Sequence, residues 1–100
     1  MVRKSISDKP YLAWLHTLPC AVEGSGCAGP VQAHHVRRLG ERRDDSRAVP
    51  LCAGHHLHDW GRFSIHWLGR RAWQEYFGVD LEALIVRLRG AWGLVQRVAA

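Results

Sequence analysis

The chain predicts a small single-domain α+β fold, a β-hairpin with a short helix after its second strand and further helices on both flanks. Short apolar runs at 31–36 and 48–51 bracket an arginine-rich stretch and read as the two strands. Apolar residues recur at helical spacing toward both ends. The middle of the chain also concentrates its imidazoles and thiols. His34-His35 and His55-His56 form two doublets, Cys52 opens the second as Cys-x-x-His, and Cys20 and Cys27 lie upstream. A domain this short supports only a modest core, and a bound metal is the usual supplement. The core is expected over about 18–68, with flanking helices over about 8–18, 70–77 and 80–98.

Composition narrows the function classes. The formal charge is +5, with arginine far outnumbering lysine. Guanidinium forks bind phosphate in a bidentate way, so the excess points first to nucleic acid. Three cysteines cannot all pair within one chain, and beside so many histidines they suit a reducing compartment and metal bonding. The N-terminus has no apolar run of a signal peptide, and no stretch reaches the ~18 apolar residues of a membrane span. The expectation is a soluble, intracellular protein with no membrane partner.

Residues 1–7 are polar and read as a frayed end. Asp8 then caps a helix with Pro10 in its first turn, Tyr11, Leu12, Trp14, Leu15 and Leu18 form its apolar face, and Pro19 ends it. Glycines 24, 26 and 29 around Cys27 suit a tight turn that aims two sulfurs at one point. On the first strand His34 and His35 face opposite ways, so they cannot do the same job. The loop RRLGERRDDSR carries arginines at 37, 38, 42, 43 and 47 among three acids. It reads both as a salt-bridged surface and as a phosphate-contacting loop, with Arg37 and Arg38 furthest from the acids. Beyond a loop at 61–64, a helix over 70–77 carries Trp73, Tyr76 and Phe77 and closes at Gly78. Asp80 caps a last helix whose stripe of Leu81, Leu84, Ile85, Leu88 and Trp92 is core or a dimer face.

Two metal sites follow from these residues. Cys20, Cys27, Cys52 and His55 supply three thiolates and an imidazole, a closed tetrahedron of the structural zinc kind. His34, His35, His56 and His66 are left to build an open site for a divalent ion, with a free histidine to take a proton from water. Neighbouring helical residues point about 100 degrees apart, so one doublet can serve both sites.

The segments LAWLHTLPC, QAHHVRR, VPLCAGHH and SIHWLGRRAWQEYFG together resemble the ββα-metal (treble-clef-like) fold of HNH endonucleases, in particular small phage and prophage members. AHHV followed by PLCxxHH is the most specific element, and the likeness covers roughly residues 11–85. It implies a metal-dependent DNA endonuclease with little sequence preference. His35 would be the general base, with His34 and His56 ligands of one catalytic divalent ion (Mg²⁺, Mn²⁺, Ni²⁺ or Zn²⁺) beside the structural Zn²⁺. The asparagine of the family pattern is missing, since the chain has none, and Asp45 is its replacement. The family's last helical ligand falls on Trp60; His66 is the expected substitute, with His58 next and Asp59 third. Arg37 and Arg38, with Arg42 or Arg43, would hold flanking phosphates. The resemblance also implies the cytoplasm of a bacterial host, DNA as partner, a monomer or homodimer, and a phage packaging or recombination partner as a further candidate. The competing reading is a zinc-stabilised DNA-binding module without catalytic activity.

Overall fold

The computed structural model describes residues 5–24, 26–37, 40–57 and 63–99. Helix α1 runs Lys9–Leu15, strands β1 and β2 run Val31–His35 and Ala48–Cys52, and the short helices α2 and α3 run Ala53–His56 and Ile65–Leu68. Helix α4 runs Arg70–Phe77 and α5 runs Leu81–Ala99. The chain is therefore a small α+β fold with one two-stranded antiparallel sheet among its described residues. No helix among them is long and apolar enough to cross a membrane.

The sheet sets the register of the site. Val31 pairs with Cys52, His34 with Val49 and His35 with Ala48. All five β2 residues are buried and all five β1 residues are half-buried, so the hairpin turns one strand to the core and leaves the other at its edge. Val49, Leu51 and Cys52 pack with Cys20, Val22, Val36, Ile65, Trp73, Leu81 and Ile85 in the main core. A second cluster gathers Tyr11, Leu15 and Ala48, with Trp14, Leu88 and Trp92 against it. Helix α5 contributes to both, Leu81 and Ile85 to the first and Leu88 and Trp92 to the second. Its stripe therefore packs into the fold, with Leu81 and Ile85 buried and Leu84, Leu88 and Trp92 partly so.

Two local expectations change, and one element was not anticipated. The first helix ends at Leu15, not at Leu18: His16 is its C-cap, and the chain turns through Thr17 and Leu18 before Pro19. Within 1–7, Ile6 is not frayed, since its N–H donates to the Arg43 carbonyl at 2.8 Å and its carbonyl accepts from the Asp45 N–H at 3.0 Å. This parallel bridge to Asp44 gives the backbone of an otherwise patternless segment a place to pair. Beyond the loop expected at 61–64, His66 sits on a short helix not expected from the sequence. Ser64 caps α3 by accepting the Trp67 N–H at 3.1 Å, and His66 is the second residue of that helix.

The other caps follow the sequence. Asp8 accepts the Tyr11 N–H at 3.3 Å, Asp80 accepts the Ala83 N–H at 3.2 Å, and Gly78 closes α4 at φ 66° and ψ 32°, a left-handed conformation suited to glycine.

Tyr11 joins the two ends of this scaffold. It is buried on α1 and its hydroxyl donates to the Ala48 carbonyl at 3.0 Å, opposite His35 in the sheet. Replacing it by phenylalanine leaves that buried carbonyl without this donor. The expected cost of Tyr11→Phe is about 1–3 kcal/mol, read as a lower midpoint in urea at unchanged slope; an unchanged midpoint would mean that the bond contributes nothing.

Candidate metal centre

Cys20, Cys27, Cys52 and His55 converge from three parts of the chain, each offering one ligand atom within 4.8 Å of the others. Cys52 ends β2 and occupies the N-cap of α2, so one turn of helix brings His55 back over its sulfur. His55 Nδ1 lies 3.0 Å from Cys52 Sγ and 3.7 Å from both Cys20 Sγ and Cys27 Sγ. A tetrahedral zinc with ordinary bond lengths spaces sulfur and nitrogen by about 3.6 Å. The chain therefore carries a Cys3His cluster that could hold a structural metal such as zinc, and its donor set fits that ion.

The glycine-rich loop explains how Cys27 arrives. Gly24, Gly26 and Gly29 take φ values of 88°, 81° and 76°, which other residues rarely adopt. The loop is tied to the β2–α2 turn, where Ala53 N–H donates to the Pro30 carbonyl and Gly54 N–H to the Ala28 carbonyl, both at 2.9 Å. A Cβ on Gly54 would stand 3.2 Å from that of Ala28, so glycine inside Cys-x-x-His permits the close approach.

Electrostatics show what a cation would offset here. Burial pushes the Cys20 thiol up to about 12 despite N–H groups of Cys52 and Val22 aimed at it. Burial also raises Cys27. Burial opposes ionisation of Cys52 as well, but the N–H groups of Ala28 and His55, with the His55 ring, bring it down to about 7. One thiolate forms easily here and its neighbours do not, until a divalent ion offsets their repulsion.

The second cluster is His34 from β1, His56 from α2 and His66 from α3, again with one ligand atom each within 4.8 Å of the others. Their ring centroids are 5.0 Å apart for 34–56, 5.8 Å for 34–66 and 4.6 Å for 56–66. The His55-His56 step divides the two clusters between adjacent residues, as the helical turn requires. Burial, then the charges of His56, His66, His35 and Arg70, pull His34 down to about 3. Burial, then His66 and His35, pull His56 down to about 4. Both rings are neutral near pH 7 and keep a lone pair for a cation.

Gln32, not singled out from the sequence, orients His56. Its Oε1 lies 2.8 Å from His56 Nδ1, so that nitrogen carries the proton and Nε2 is the free ligand atom. The strand's period of two was the available signal, because Gln32 and His34 share a face of β1.

His35 turns elsewhere. Its Nε2 lies 2.8 Å from Asp45 Oδ1. Asp45 is 4% exposed and its other oxygen accepts the Asp8 N–H at 2.8 Å. Burial opposes ionisation, but the Asp8 N–H, His35 and the Arg43 guanidinium outweigh it and hold the carboxyl below its ordinary value. An ionised Asp45 accepts, so His35 Nε2 bears the proton and Nδ1 the lone pair. Arg43 Nε, 3.3 Å from His35 Nε2 and 3.5 Å from Asp45 Oδ1, cannot donate to a nitrogen that is itself a donor; its attraction is to Asp45.

The arginines divide. Arg37 and Arg42 are exposed, Arg43 leans on the His35–Asp45 pair, and Arg47 is held by Glu82 of α5 and by the Val36 carbonyl. Glu82 also takes Arg70 at 3.0 Å. Arg38, His58, Asp59 and Trp60 lie outside the described residues.

No protein-family model matches the chain, and no curated protein or solved structure does. Fold and ligand set together define a small α+β domain with a Cys3His cluster able to hold zinc.

Because this cluster joins the segment after α1 to the hairpin and α2, metal removal should unfold the domain. The purified chain is expected to retain one tightly held zinc, and a strong chelator to abolish its cooperative thermal transition. Cys52→Ser should behave like the stripped protein; a Cys52→Ser chain that melts like wild type would show that the cluster does not hold the fold.

Proposed function

We propose that the protein is a metal-dependent DNA endonuclease of the HNH kind, cutting phosphodiester bonds by hydrolysis. One observation carries the reading. An open cluster of three histidines, His34, His56 and His66, adjoins through strand β1 a His35–Asp45 pair and stands apart from the closed Cys3His cluster. A structural zinc protein needs only the closed cluster. The open one leaves coordination positions for a substrate oxygen.

In this reading His34, His56 and His66 hold a divalent ion, with Gln32 fixing the tautomer of His56. That ion, when bound, supplies positive charge that offsets the charge building on the phosphate and on the departing oxygen. His35 takes a proton from water on Nδ1 as the water oxygen bonds to phosphorus. The bond from phosphorus to the leaving sugar oxygen breaks, and that oxygen collects a proton from solvent. Asp45 stabilises the imidazolium that His35 becomes and keeps its ring in place. It thereby fills, with a side chain, the place of the family's asparagine. Arg37 and Arg42 are exposed on the loop beside the pair and suit flanking phosphates, and Arg38 is assigned the same task. With Arg43 engaged by Asp45, its part is to secure the pair as much as to meet DNA.

No element among the described residues resembles a base-reading module, and sequence preference is expected to be slight. Three histidines alone do not choose among Mg²⁺, Mn²⁺, Ni²⁺ and Zn²⁺.

The test is plasmid cleavage by the zinc-loaded chain with Mg²⁺, Mn²⁺, Ni²⁺ or Zn²⁺ added singly, wild type beside His35→Ala. Cleavage should need added metal and fall by about 10²–10⁴-fold in the variant, the usual worth of a general base. DNA binding should persist and weaken steeply with salt. Binding without cleavage under every metal would leave a zinc-stabilised DNA-binding module instead.

A further inference from the structure

The segment Ile6–Asp8 lies outside both metal clusters, yet it touches the buried carboxylate on which His35 depends. Asp8 is fixed from two sides. Its Oδ1 accepts the Tyr11 N–H at 3.3 Å and so caps α1, while its Oδ2 accepts from Arg89 Nη1 of α5 at 3.2 Å. Arg89 is in turn held over the Tyr11 ring, 4.6 Å from its centroid. A side chain pinned between two helices leaves its own backbone little freedom, and the Asp8 N–H donates to Asp45 Oδ2 at 2.8 Å. The opposite oxygen of Asp45 faces His35 Nε2 at the same distance. Two residues earlier in the strap, Ile6 pairs with Arg43 and Asp45 through the backbone.

The geometry points to Asp8 as a positioning residue for His35, acting through Asp45, with Ile6–Asp8 as a strap that references the base to α1 and α5. This inference rests on the nuclease reading for its catalytic consequence, and on geometry alone for the orientation of the ring. Arginine-rich loops offer many conformations to an acidic residue within them. Asp45 could rotate toward Arg42 or Arg43 if only His35 held it. The Asp8 N–H takes one oxygen and the Ile6 carbonyl takes the Asp45 N–H, which leaves the other oxygen aimed at His35. The ring is then kept with its proton on Nε2 and its lone pair on Nδ1 before any substrate arrives.

Four full-length, zinc-loaded chains test this: wild type, Asp8→Ala, Asp8→Asn and Asp80→Ala. Asp80 caps α5 as Asp8 caps α1, so its substitution removes a helix cap away from Asp45 and controls for general destabilisation. With plasmid and the ion that supports wild-type cleavage, Asp8→Ala is expected to lower kcat by about ten- to a hundredfold, the usual effect of a misplaced catalytic group. KM should stay within about twofold, since phosphate contacts are untouched. Asp8→Asn, able to cap the helix but without the charge that holds Arg89, should recover part of the loss, and Asp80→Ala should keep the wild-type kcat. Equal kcat values for Asp8→Ala and Asp80→Ala would overturn the inference.

A second readout needs no activity. The ¹H–¹⁵N correlations of the His35 ring should show the proton on Nε2 in wild type and in Asp80→Ala, and a mixture of tautomers in Asp8→Ala. An unchanged ring in Asp8→Ala would also overturn the inference. If wild type cuts nothing, the nuclease reading fails while the ring spectra still decide the strap. Should Asp8→Ala lose its zinc, Arg89→Met, which removes the ion pair but keeps the cap and an apolar stem against Tyr11, should show the same intermediate loss of kcat and the same mixing of tautomers as Asp8→Asn; a wild-type kcat and ring spectrum in both would overturn the inference.

Discussion

Three thiols and an imidazole drawn from residues 20, 27, 52 and 55 are held within 4.8 Å of one another, and without a cation they repel once ionised. That constraint shapes the rest of the domain. To meet it, the chain places left-handed glycines around Cys27, a strand end at Cys52 and one helical turn to His55. The second cluster follows from the first. Helix α2 is only four residues long, and with His55 committed to sulfur, His56 turns by about 100 degrees toward β1. There it meets His34, and α3 supplies His66 as the third member. A helix continuing from α2 would bring its next same-face residue after one turn; here a separate capped helix brings the third imidazole instead.

The His35–Asp45 pair depends on a different balance. A buried carboxylate is costly unless its hydrogen bonds are made and its charge is answered. Asp45 meets both conditions through the Asp8 N–H, the His35 ring and the Arg43 guanidinium. Removing any one would leave an oxygen or a charge without its partner, so the tautomer of His35 is tied to contacts spread from residue 6 to residue 89. The neighbouring pair of Arg47 and Arg70 on Glu82 fastens α5 to the strand turn and to α4.

Much of this arrangement was legible in the residues. The Cys-x-x-His turn, the cysteines beside glycines and the period of the strands suffice to bring the Cys3His cluster together and to separate His34 from His35. Asp8, Gly78 and Asp80 read as caps because capping is local. What escaped was long-range or backbone-borne. Ile6 carries no pattern, and its bridge to Asp44 rests on peptide groups that every residue has. Gln32 looked like an ordinary polar strand residue until His56 came within 2.8 Å of it. Arg47 sat among nearby acids, yet its partner is Glu82, thirty-five residues away. The four residues of α3 are too few for periodicity to register, and only the Ser64 cap marked them. The end of the first helix was misjudged because Leu18 fits the helical period while the backbone has already turned.

The proposed function requires that one chain hold two unlike metal ions, divided at His55-His56. Cobalt titration of the chelator-stripped protein, followed by absorption, tests it most directly. The first equivalent should give the intense thiolate bands and tetrahedral spectrum of a Cys3His site. A second, weaker equivalent should add only faint bands of nitrogen and oxygen ligands, and His66→Ala should remove the second while sparing the first. Saturation at one equivalent, or a second equivalent indifferent to His66, would contradict it.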